Sequence, residues 1–333
     1  MKKIILTLLS VIIILVLAFS FVACDKEDTT NKELKFVVPD GTPALAICNL
    51  LGKTTIGDYS IDATIIGADT IATQIGGGKA DLIIAPTNAG ANLISKGADY
   101  KLFSVAVEGS LYLIGKPVSE GNNVITLNDI KGKNIASIGQ NNTPDKVFKF
   151  IIDNTDGVTY DDQKDTITFA DGSVTTIEWA ADGPAAKTKL LREENPCDFA
   201  IVGEPAATAF GTPNGGGFSA RMDLQAMYKE CANTTLNFPQ ASLFVKTSLL
   251  NDTAFMSALV EKLKESREWV IANPTDVSAK MKDLGSATAF PAPSIAKCNV
   301  VVSIANTAEV KASIISYLKL MVPAVDWDNV NLF

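Results

Sequence analysis

Polar and apolar positions follow a repeating order along the chain from Leu34 onward. Short apolar runs, each about the length of a β-strand, alternate with stretches in which apolar residues recur at helical spacing. Leu34–Val38, Ala63–Ile66 and Asp81–Ala85 are predicted strands, and a helix is predicted after each of them. Strands that alternate with helices in this way are typical of an α/β fold.

The same order of elements returns in the middle of the chain. Asn134–Ile138, Thr176–Trp179 and Asp198–Val202 are predicted strands, and a predicted helix follows each one. A Thr-Pro pair opens a helix in both stretches, at Thr42 and at Thr143, and proline suits the first turn of a helix. The repeated order therefore predicts two similar α/β lobes.

Two further apolar segments connect the predicted lobes. Phe103–Gly115 and Phe238–Val245 are predicted as strands that cross from one lobe to the other. The helical remainder from Thr253 is expected to pack back onto the first lobe. A chain of this length is more than one hydrophobic core usually supports, which agrees with two lobes. The predicted boundaries are 34–112 plus 242–333 for lobe 1 and 113–241 for lobe 2.

The start of the chain has the pattern of an export signal. A basic Met1-Lys2-Lys3 precedes the apolar run Ile4–Phe21, which predicts a secretory signal at residues 1–23. The end of this segment resembles the lipobox of bacterial lipoproteins, in which Cys24 becomes the lipidated first residue. An uncleaved anchor is the alternative, since about 20 apolar residues span a bilayer. Both place the body outside the cytoplasm and at a membrane, which for a lipoprotein is the outer face of the bacterial cytoplasmic membrane.

Composition and charge exclude several classes of function. The formal net charge is −8, and loss of Lys2 and Lys3 with the leader takes it to about −10. An acidic surface argues against binding to nucleic acid and against binding to anionic lipid through a polybasic surface. Residues 24–33 are polar and without pattern, which predicts a flexible tether.

Histidine is absent from the chain. Its absence excludes Ser-His-Asp and Cys-His catalysis and removes the commonest zinc ligand. We expect no enzyme activity, no cofactor and no metal site. Four cysteines remain in the body, and they have no CxxC spacing. An exported protein could pair them, although the sequence does not set the pairing, and buried free thiols are the alternative. They are Cys48, Cys197, Cys231 and Cys298.

Polar residues concentrate where the predicted strands end and the next helices begin. Ligands of doubly wound sheets bind beyond the carboxyl ends of the strands, where helix N-termini offer free N–H groups. If the lobes face each other, these loops line one cleft and the crossing strands form its floor. The predicted ligand-binding residues are Asp40, Gly41, Thr42, Asp69, Thr70, Thr87, Asn88, Gln140, Asn141, Asn142, Thr143, Asp182, Gly183 and Glu204 in the loops, with Ser110 and Gln240 on the floor.

Several of these residues have a purely structural alternative. Asp69 and Asp182, like Thr42 and Thr143, could cap helices only, a contribution of about 1 kcal/mol each. The pair Asn141-Asn142 could form a turn only.

Four segments carry a resemblance to a known family. Phe36–Leu45, Gly78–Asn88, Ile138–Asp145 and Asp198–Ala206 resemble, in this order, solute-binding proteins of ABC importers, in particular the nitrate/sulfonate/taurine and thiamine-precursor group. The resemblance implies a type II periplasmic-binding-protein fold, in which two Rossmann-like lobes joined by two crossing strands clamp a ligand. It also implies that the loops at Asp40–Pro43, Thr87-Asn88, Gln140–Thr143 and Glu204-Pro205 face that ligand.

The resemblance implies a lipid-anchored receptor that captures a small molecule and delivers it to an ABC permease and its ATPase. It is expected to act as a monomer. Only Arg192, Arg221 and Arg267 occur, none of them in a predicted cleft loop, and the acids of the cleft weigh against a strongly anionic ligand. A neutral or cationic nitrogen-rich molecule, such as a pyrimidine-type vitamin precursor, is therefore expected. Two alternatives stay open: a ligand sensor without transport, and an enzyme like the eukaryotic pyrimidine-synthesising relatives, which the missing histidines oppose.

Overall fold

A computed structural model describes residues 32–333 of the chain. The predicted leader at 1–23, Cys24 and most of the predicted tether at 24–33 lie outside the described residues. Glu33–Phe333 form one unit. None of the helices in 32–333 combines the length and the apolar character needed to cross a bilayer.

The first lobe is built on a seven-stranded mixed sheet with the order β14-β5-β13-β4-β1-β3-β2. Buried Phe36 and Leu82 lie at the same level of the parallel pair β1–β4. The strands of this sheet are β1 (Lys32–Pro39), β2 (Gly52–Ile56), β3 (Tyr59–Ile66), β4 (Leu82–Pro86), β5 (Tyr100–Glu108), β13 (Pro239–Lys246) and β14 (Val300–Ile304).

The second lobe repeats this plan with a seven-stranded sheet of the order β12-β6-β11-β7-β10-β9-β8. β7 runs parallel to both β10 and β11, so the carboxyl ends of these three strands meet at one edge. The strands are β6 (Leu111–Gly115), β7 (Asn134–Ile138), β8 (Val158–Asp161), β9 (Thr166–Phe169), β10 (Val174–Ala180), β11 (Phe199–Gly203) and β12 (Ala220–Asp223).

Helices follow the strands in both lobes, and their starts match the local sequence. Proline occupies the first turn of α1, α4, α5 and α9, where its missing N–H costs nothing. The first lobe carries α1 (Thr42–Ala46), α2 (Ile71–Gly76), α3 (Thr87–Ser95), α8 (Thr253–Ala272) and α9 (Pro274–Asp283). The second carries α4 (Thr143–Asp153), α5 (Gly183–Leu191), α6 (Ala206–Gly211) and α7 (Leu224–Cys231).

The first crossing between the lobes is made of two strands, whereas the sequence pattern predicted one continuous strand over Phe103–Gly115. β5 ends at Glu108 and β6 begins at Leu111. Gly109 separates them, and a Cβ placed on it would lie 1.8 Å from Oε1 of Gln225 and 2.7 Å from the ring of Phe238. Only glycine fits there, and this break in the strand is what separates the two sheets.

The C-terminal helix is α10 (Ala308–Met321). The strand before it, β14, belongs to the first sheet, as the expected return to the first lobe requires. α10 itself packs against α4 of the second lobe, which the sequence pattern did not predict. The end of the chain returns to the first sheet, where the N–H of Leu102 donates to the carbonyl of Leu332 at 2.8 Å.

The four cysteines of the described residues are free thiols. Cys48, Cys197 and Cys298 are buried, and Cys231 is partly exposed. Of the two alternatives that the sequence left open, the structure therefore favours free thiols over disulfides, and three of the four thiols are buried.

Candidate functional site

Loops at the carboxyl ends of parallel strands bring polar side chains together between the two sheets. β4 ends at Pro86, and Thr87 and Asn88 begin α3 directly after it. β7 ends at Ile138, and α4 begins at Thr143. These helix starts lie at the edge of each sheet where ligands bind in folds of this kind.

Thr143 makes polar contacts with the opposite lobe. Its hydroxyl donates to Oδ1 of Asn88 at 3.0 Å, and the carbonyl oxygen of Gln240 lies 3.3 Å from the same hydroxyl. Gln240 lies on β13 of the first sheet and Asn88 follows β4 of the same sheet, whereas Thr143 follows β7 of the second sheet. Only 1% of Thr143 and 3% of Asn88 is exposed, so this contact lies within the protein rather than at its rim.

A second polar contact joins the lobes through Thr42. Its hydroxyl donates to the backbone carbonyl of Glu204 at 2.5 Å, and both residues are buried. Gly41 before it has φ 97°, the left-handed region that glycine adopts without strain. This conformation lets the chain turn from β1 into α1 and places Thr42 against the opposite lobe.

The floor of the site is formed at the crossing segments. The N–H of Ser110 donates to Oε1 of Gln240 at 3.0 Å, and the Ser110 hydroxyl lies 3.3 Å from the same oxygen. Beside them the hydroxyls of Thr87 and Ser242 are hydrogen-bonded at 2.8 Å. Ser110 is 1% exposed. Neutral amides and hydroxyls thus make up the centre of the site.

Sequence reasoning missed one residue of this network, Tyr317 of α10. Its hydroxyl donates to Oγ1 of Thr143 at 3.4 Å, and its ring stacks on Phe238 with the ring centres 6.2 Å apart. Burial raises the pKa of Tyr317 well above its usual range. The sequence gives no signal for this role, because Tyr317 reads as one more apolar position on an amphipathic helix with Ile314 and Leu318.

The carboxylate of Glu204 is neutralised inside the protein. It accepts hydrogen bonds from the N–H of Thr208 at 3.0 Å and the Thr208 hydroxyl at 2.9 Å, and Nη1 of Arg221 lies 2.9 Å away. The Glu204 side chain is fully buried. Arg221 lies on β12, outside the predicted cleft loops, but its side chain reaches the acid at the edge of the site.

The carboxylate of Asp40 holds a neighbouring loop. It accepts hydrogen bonds from the N–H groups of Ala287 at 3.0 Å and Thr288 at 3.1 Å, and also from the hydroxyls of Ser286 and Thr288. The N–H of Gly41 adds a further bond at 2.8 Å. Through these five bonds the Asp40 carboxylate holds the loop after α9 against the end of β1.

Two other predicted acids also have local structural positions. Asp182 caps α5 through a bond from the N–H of Ala185 at 2.8 Å, and Gly183 is the first residue of that helix. Asp69 and Thr70 lie in an exposed 3-10 turn, where the Thr70 hydroxyl donates to the carbonyl of Gly67 at 2.8 Å. The bonds of Asp182 and Thr70 are local to these turns.

The segment before α4 forms a tight turn. Asn141 has φ 62°, a conformation that asparagine tolerates, and its N–H donates to Asp145 at 2.7 Å. Asn142 occupies the N-cap position without a side-chain capping bond, and it is partly buried. Gln140 is exposed.

The structure therefore divides the predicted residues into two groups. Those that meet in the buried interlobe contact are Thr42, Thr87, Asn88, Ser110, Thr143, Glu204 and Gln240. Those that lie in the surrounding turns are Asp40, Gly41, Asp69, Thr70, Gln140, Asn141, Asn142, Asp182 and Gly183. We call the first group, together with Tyr317, the interlobe site.

A cavity of about 680 Å³ lies elsewhere, at the edge strand β12 of the second lobe. Its lining includes Val124, Leu127, Met222 and Met227, together with Tyr112 and Arg221. Its lining is almost wholly apolar, and Arg221 is already paired with Glu204. The convergent polar groups that characterise a recognition site are in the interlobe site instead.

No family model and no curated protein matches the chain. Solved structures match it over most of its length. An ABC transporter structure from Parabacteroides distasonis has 18% identity and a TM-score of 0.66, covering 91% of this chain and 96% of that one. The periplasmic aliphatic sulphonate binding protein SsuA from Escherichia coli has 14% identity and a TM-score of 0.60, covering 89% and 88%. A Candida albicans protein described as having the generic periplasmic binding protein fold has 11% identity and a TM-score of 0.52, covering 88% and 91%.

This chain has the periplasmic-binding-protein fold. The fold that the sequence predicted is thus confirmed, and its structural neighbours are solute-binding proteins of ABC transporters. Periplasmic binding proteins close around their ligands by hinge motion of two lobes. The contacts of Thr143 with Asn88 and of Thr42 with Glu204 join elements of the first sheet to elements of the second.

Proposed function

We propose that this chain is the solute-binding component of an ABC importer. It is held at the outer face of the cytoplasmic membrane by a lipid on Cys24, captures a small molecule between its lobes as a monomer, and delivers it to a permease and its ATPase. The observation that carries the proposal is the contact of Thr143 with Asn88 and the Gln240 carbonyl, because it joins buried polar groups of both lobes at one point. The kinship of the fold with ABC solute-binding proteins supports it.

The chemistry of the interlobe site favours a neutral ligand rich in nitrogen. Three of the four acids that the sequence placed in the cleft are engaged by protein groups: Asp40 by a loop, Asp182 by a helix N-terminus and Glu204 by Arg221. The fourth acid, Asp69, lies in an exposed turn outside the interlobe site, so a cationic ligand would find no free carboxylate within that site. A neutral heterocycle such as a pyrimidine remains the ligand class that we propose.

An enzyme of the pyrimidine-synthesising kind is disfavoured, because the chain has no histidine. A sensor that binds the same solute without transport would use the same clamp. Genes for a permease and an ATPase beside the gene for this chain support the importer, and their absence supports the sensor.

The proposal is tested by thermal unfolding of residues 24–333 against a panel of uncharged metabolites, with small-angle scattering on every compound that raises the melting temperature. A bound solute stabilises the folded state by about 2.7 kcal/mol at a hundredfold excess over Kd. We expect one class of solute to raise the melting temperature and to reduce the radius of gyration. Stabilisation without any reduction of the radius would contradict the clamp.

A further inference from the structure

We infer that the interlobe site presents the NH₂ groups of Asn88 and Gln240 to its ligand, and that it therefore takes a molecule that offers hydrogen-bond acceptors there. The inference rests on the proposed function, since it names the chemistry of the solute that the two lobes would hold. It narrows the expectation from the sequence, which was a neutral or cationic molecule, by disfavouring the cation.

The orientation of the Gln240 amide follows from a backbone donor. The N–H of Ser110 can only donate, and it meets Oε1 of Gln240 at 3.0 Å. The atom at that position is therefore the amide oxygen, and the Ser110 hydroxyl adds a second contact to it at 3.3 Å. Nε2 is left on the other side of the amide. A Cβ built on Gly203 would lie 3.8 Å from Nε2. The NH₂ group of Gln240 therefore lies beside the end of β11.

The orientation of the Asn88 amide follows from a chain of hydroxyls. Tyr317 is buried and donates to Oγ1 of Thr143 at 3.4 Å. The O–H group of Thr143 therefore donates its one hydrogen bond to a different acceptor. Oδ1 of Asn88 at 3.0 Å is nearer than the carbonyl of Gln240 at 3.3 Å. The Asn88 oxygen is thus engaged and its Nδ2 is free. The reverse orientation of the amide would require Thr143 to donate over the longer distance.

Both nitrogens are available to a ligand. In the described part of the chain, neither Nδ2 of Asn88 nor Nε2 of Gln240 has a protein acceptor. The side-chain atoms that are sealed from solvent without a partner lie elsewhere, on Gln74, Trp179 and Gln225. Two primary amides supply four N–H donors without charge. Ring nitrogens, carbonyl oxygens and sulfonate oxygens all match such donors, whereas a guanidinium or ammonium group does not.

The test is a titration of the ¹⁵N-labelled side-chain amides of residues 24–333, followed by nuclear magnetic resonance. Asn88→Asp and Gln240→Glu assign the two NH₂ signals by deleting them. Asn251 and Gln163 are exposed, so their NH₂ signals serve as internal controls. The probes are pyrimidine, a neutral acceptor; methanesulfonate, an anionic acceptor; and methylguanidinium, a cationic donor.

We expect a saturable shift of both NH₂ signals with pyrimidine, with methanesulfonate or with both, and none with methylguanidinium. A response to pyrimidine alone assigns a neutral ligand, and a response to methanesulfonate alone assigns an anion. A saturable response to methylguanidinium, or no saturable response to either acceptor, overturns the inference. If neither NH₂ signal responds but scattering shows that the protein closes on a solute, this inference alone is overturned. If both NH₂ signals respond but scattering shows no closure with any solute, the clamp is contradicted instead.

Discussion

The hydroxyl of Thr143 lies 3.0 Å from Oδ1 of Asn88, and this hydrogen bond joins the start of α4 to the start of α3. Thr143 also accepts from Tyr317, whose helix α10 packs against α4. One hydroxyl therefore connects the two sheets and the C-terminal helix. Whatever separates the lobes must break these contacts.

Replacing Thr143 by Val should weaken ligand-linked closure while leaving the fold intact. Thr143→Val keeps the shape of the side chain and removes the hydroxyl that Asn88, Gln240 and Tyr317 share. Loss of a typical hydrogen bond costs about 0.5–1.5 kcal/mol. We expect a fall in solute affinity of about tenfold, since 1.4 kcal/mol corresponds to that factor. Calorimetric titration measures it, and Thr188→Val, at an exposed helix position, is the matched control.

Removing Arg221 should destabilise the second lobe. Arg221→Met leaves the fully buried carboxylate of Glu204 without its cation. Breaking a buried ion pair in this way costs about 3–5 kcal/mol, and less here because the Arg221 side chain is 24% exposed. Urea unfolding checks the loss. Glu204→Gln combined with Arg221→Met removes both charges and should cost less than Arg221→Met alone; an equal or larger loss would show that the pairing is not what matters.

The surface pair Lys131–Asp171 provides a comparison for that measurement. The Lys131 side chain is 31% exposed and that of Asp171 53%, so Lys131→Met should change stability by less than about 1 kcal/mol. A loss as large as that of Arg221→Met would mean that burial does not set the cost.

Replacing Gln225 should stabilise the protein. Both amide atoms of Gln225 are buried without a hydrogen-bond partner, next to Gly109 at the first crossing and Phe238 at the second. An unsatisfied buried polar group costs about 1–3 kcal/mol. Gln225→Met keeps the volume and removes both polar atoms, so the melting temperature should rise. Gln163→Met, at an exposed turn, should leave it unchanged, and a fall with Gln225→Met would mean that the amide is satisfied in solution.

Stability should fall in alkaline solution. Burial raises the pKa of Cys298 from 9.0 to about 12, and that of Tyr100 and Tyr228 from 10.0 to about 12. The folded protein therefore keeps protons that the unfolded chain releases. The stability that these groups contribute is fully present below pH 9 and is lost as the pH rises toward 12. Urea midpoints should drop between pH 8 and pH 11. Tyr228→Phe removes one of the groups and should flatten that decline; an unaltered slope would contradict the assignment.

Much of the fold was predictable because strand and helix periods are local properties. The strands at Phe36, at Ile83 and at Ile135 follow from apolar runs between turn residues, and the prolines at positions 43, 144 and 184 mark helix starts. The packing of α10 on α4 was not predictable, since an amphipathic helix shows that it packs but not on which partner. The break at Gly109 was also missed, because apolar residues continue on both sides of it.

The site was predictable in part for the same reason. The loops after β1, β4, β7 and β11 supply Thr42, Asn88, Thr143 and Glu204 to the interlobe contact. The roles of Asp40 and Arg221 were not predictable, because they depend on partners far away in the chain: Thr288 for the first and Glu204 for the second. The lipid anchor, the lobe boundaries and the ligand stay predictions.

The most direct test of the central claim is native mass spectrometry of residues 24–333 purified without denaturation. The comparison is between the unchanged chain, the pair Asn88→Asp with Gln240→Glu, and the control pair Asn251→Asp with Gln163→Glu, which makes the same charge change at exposed positions. We predict that the unchanged chain and the control carry one small molecule per chain and that the Asn88 and Gln240 variant carries none. The same bound mass in all three proteins would contradict a solute site between the lobes.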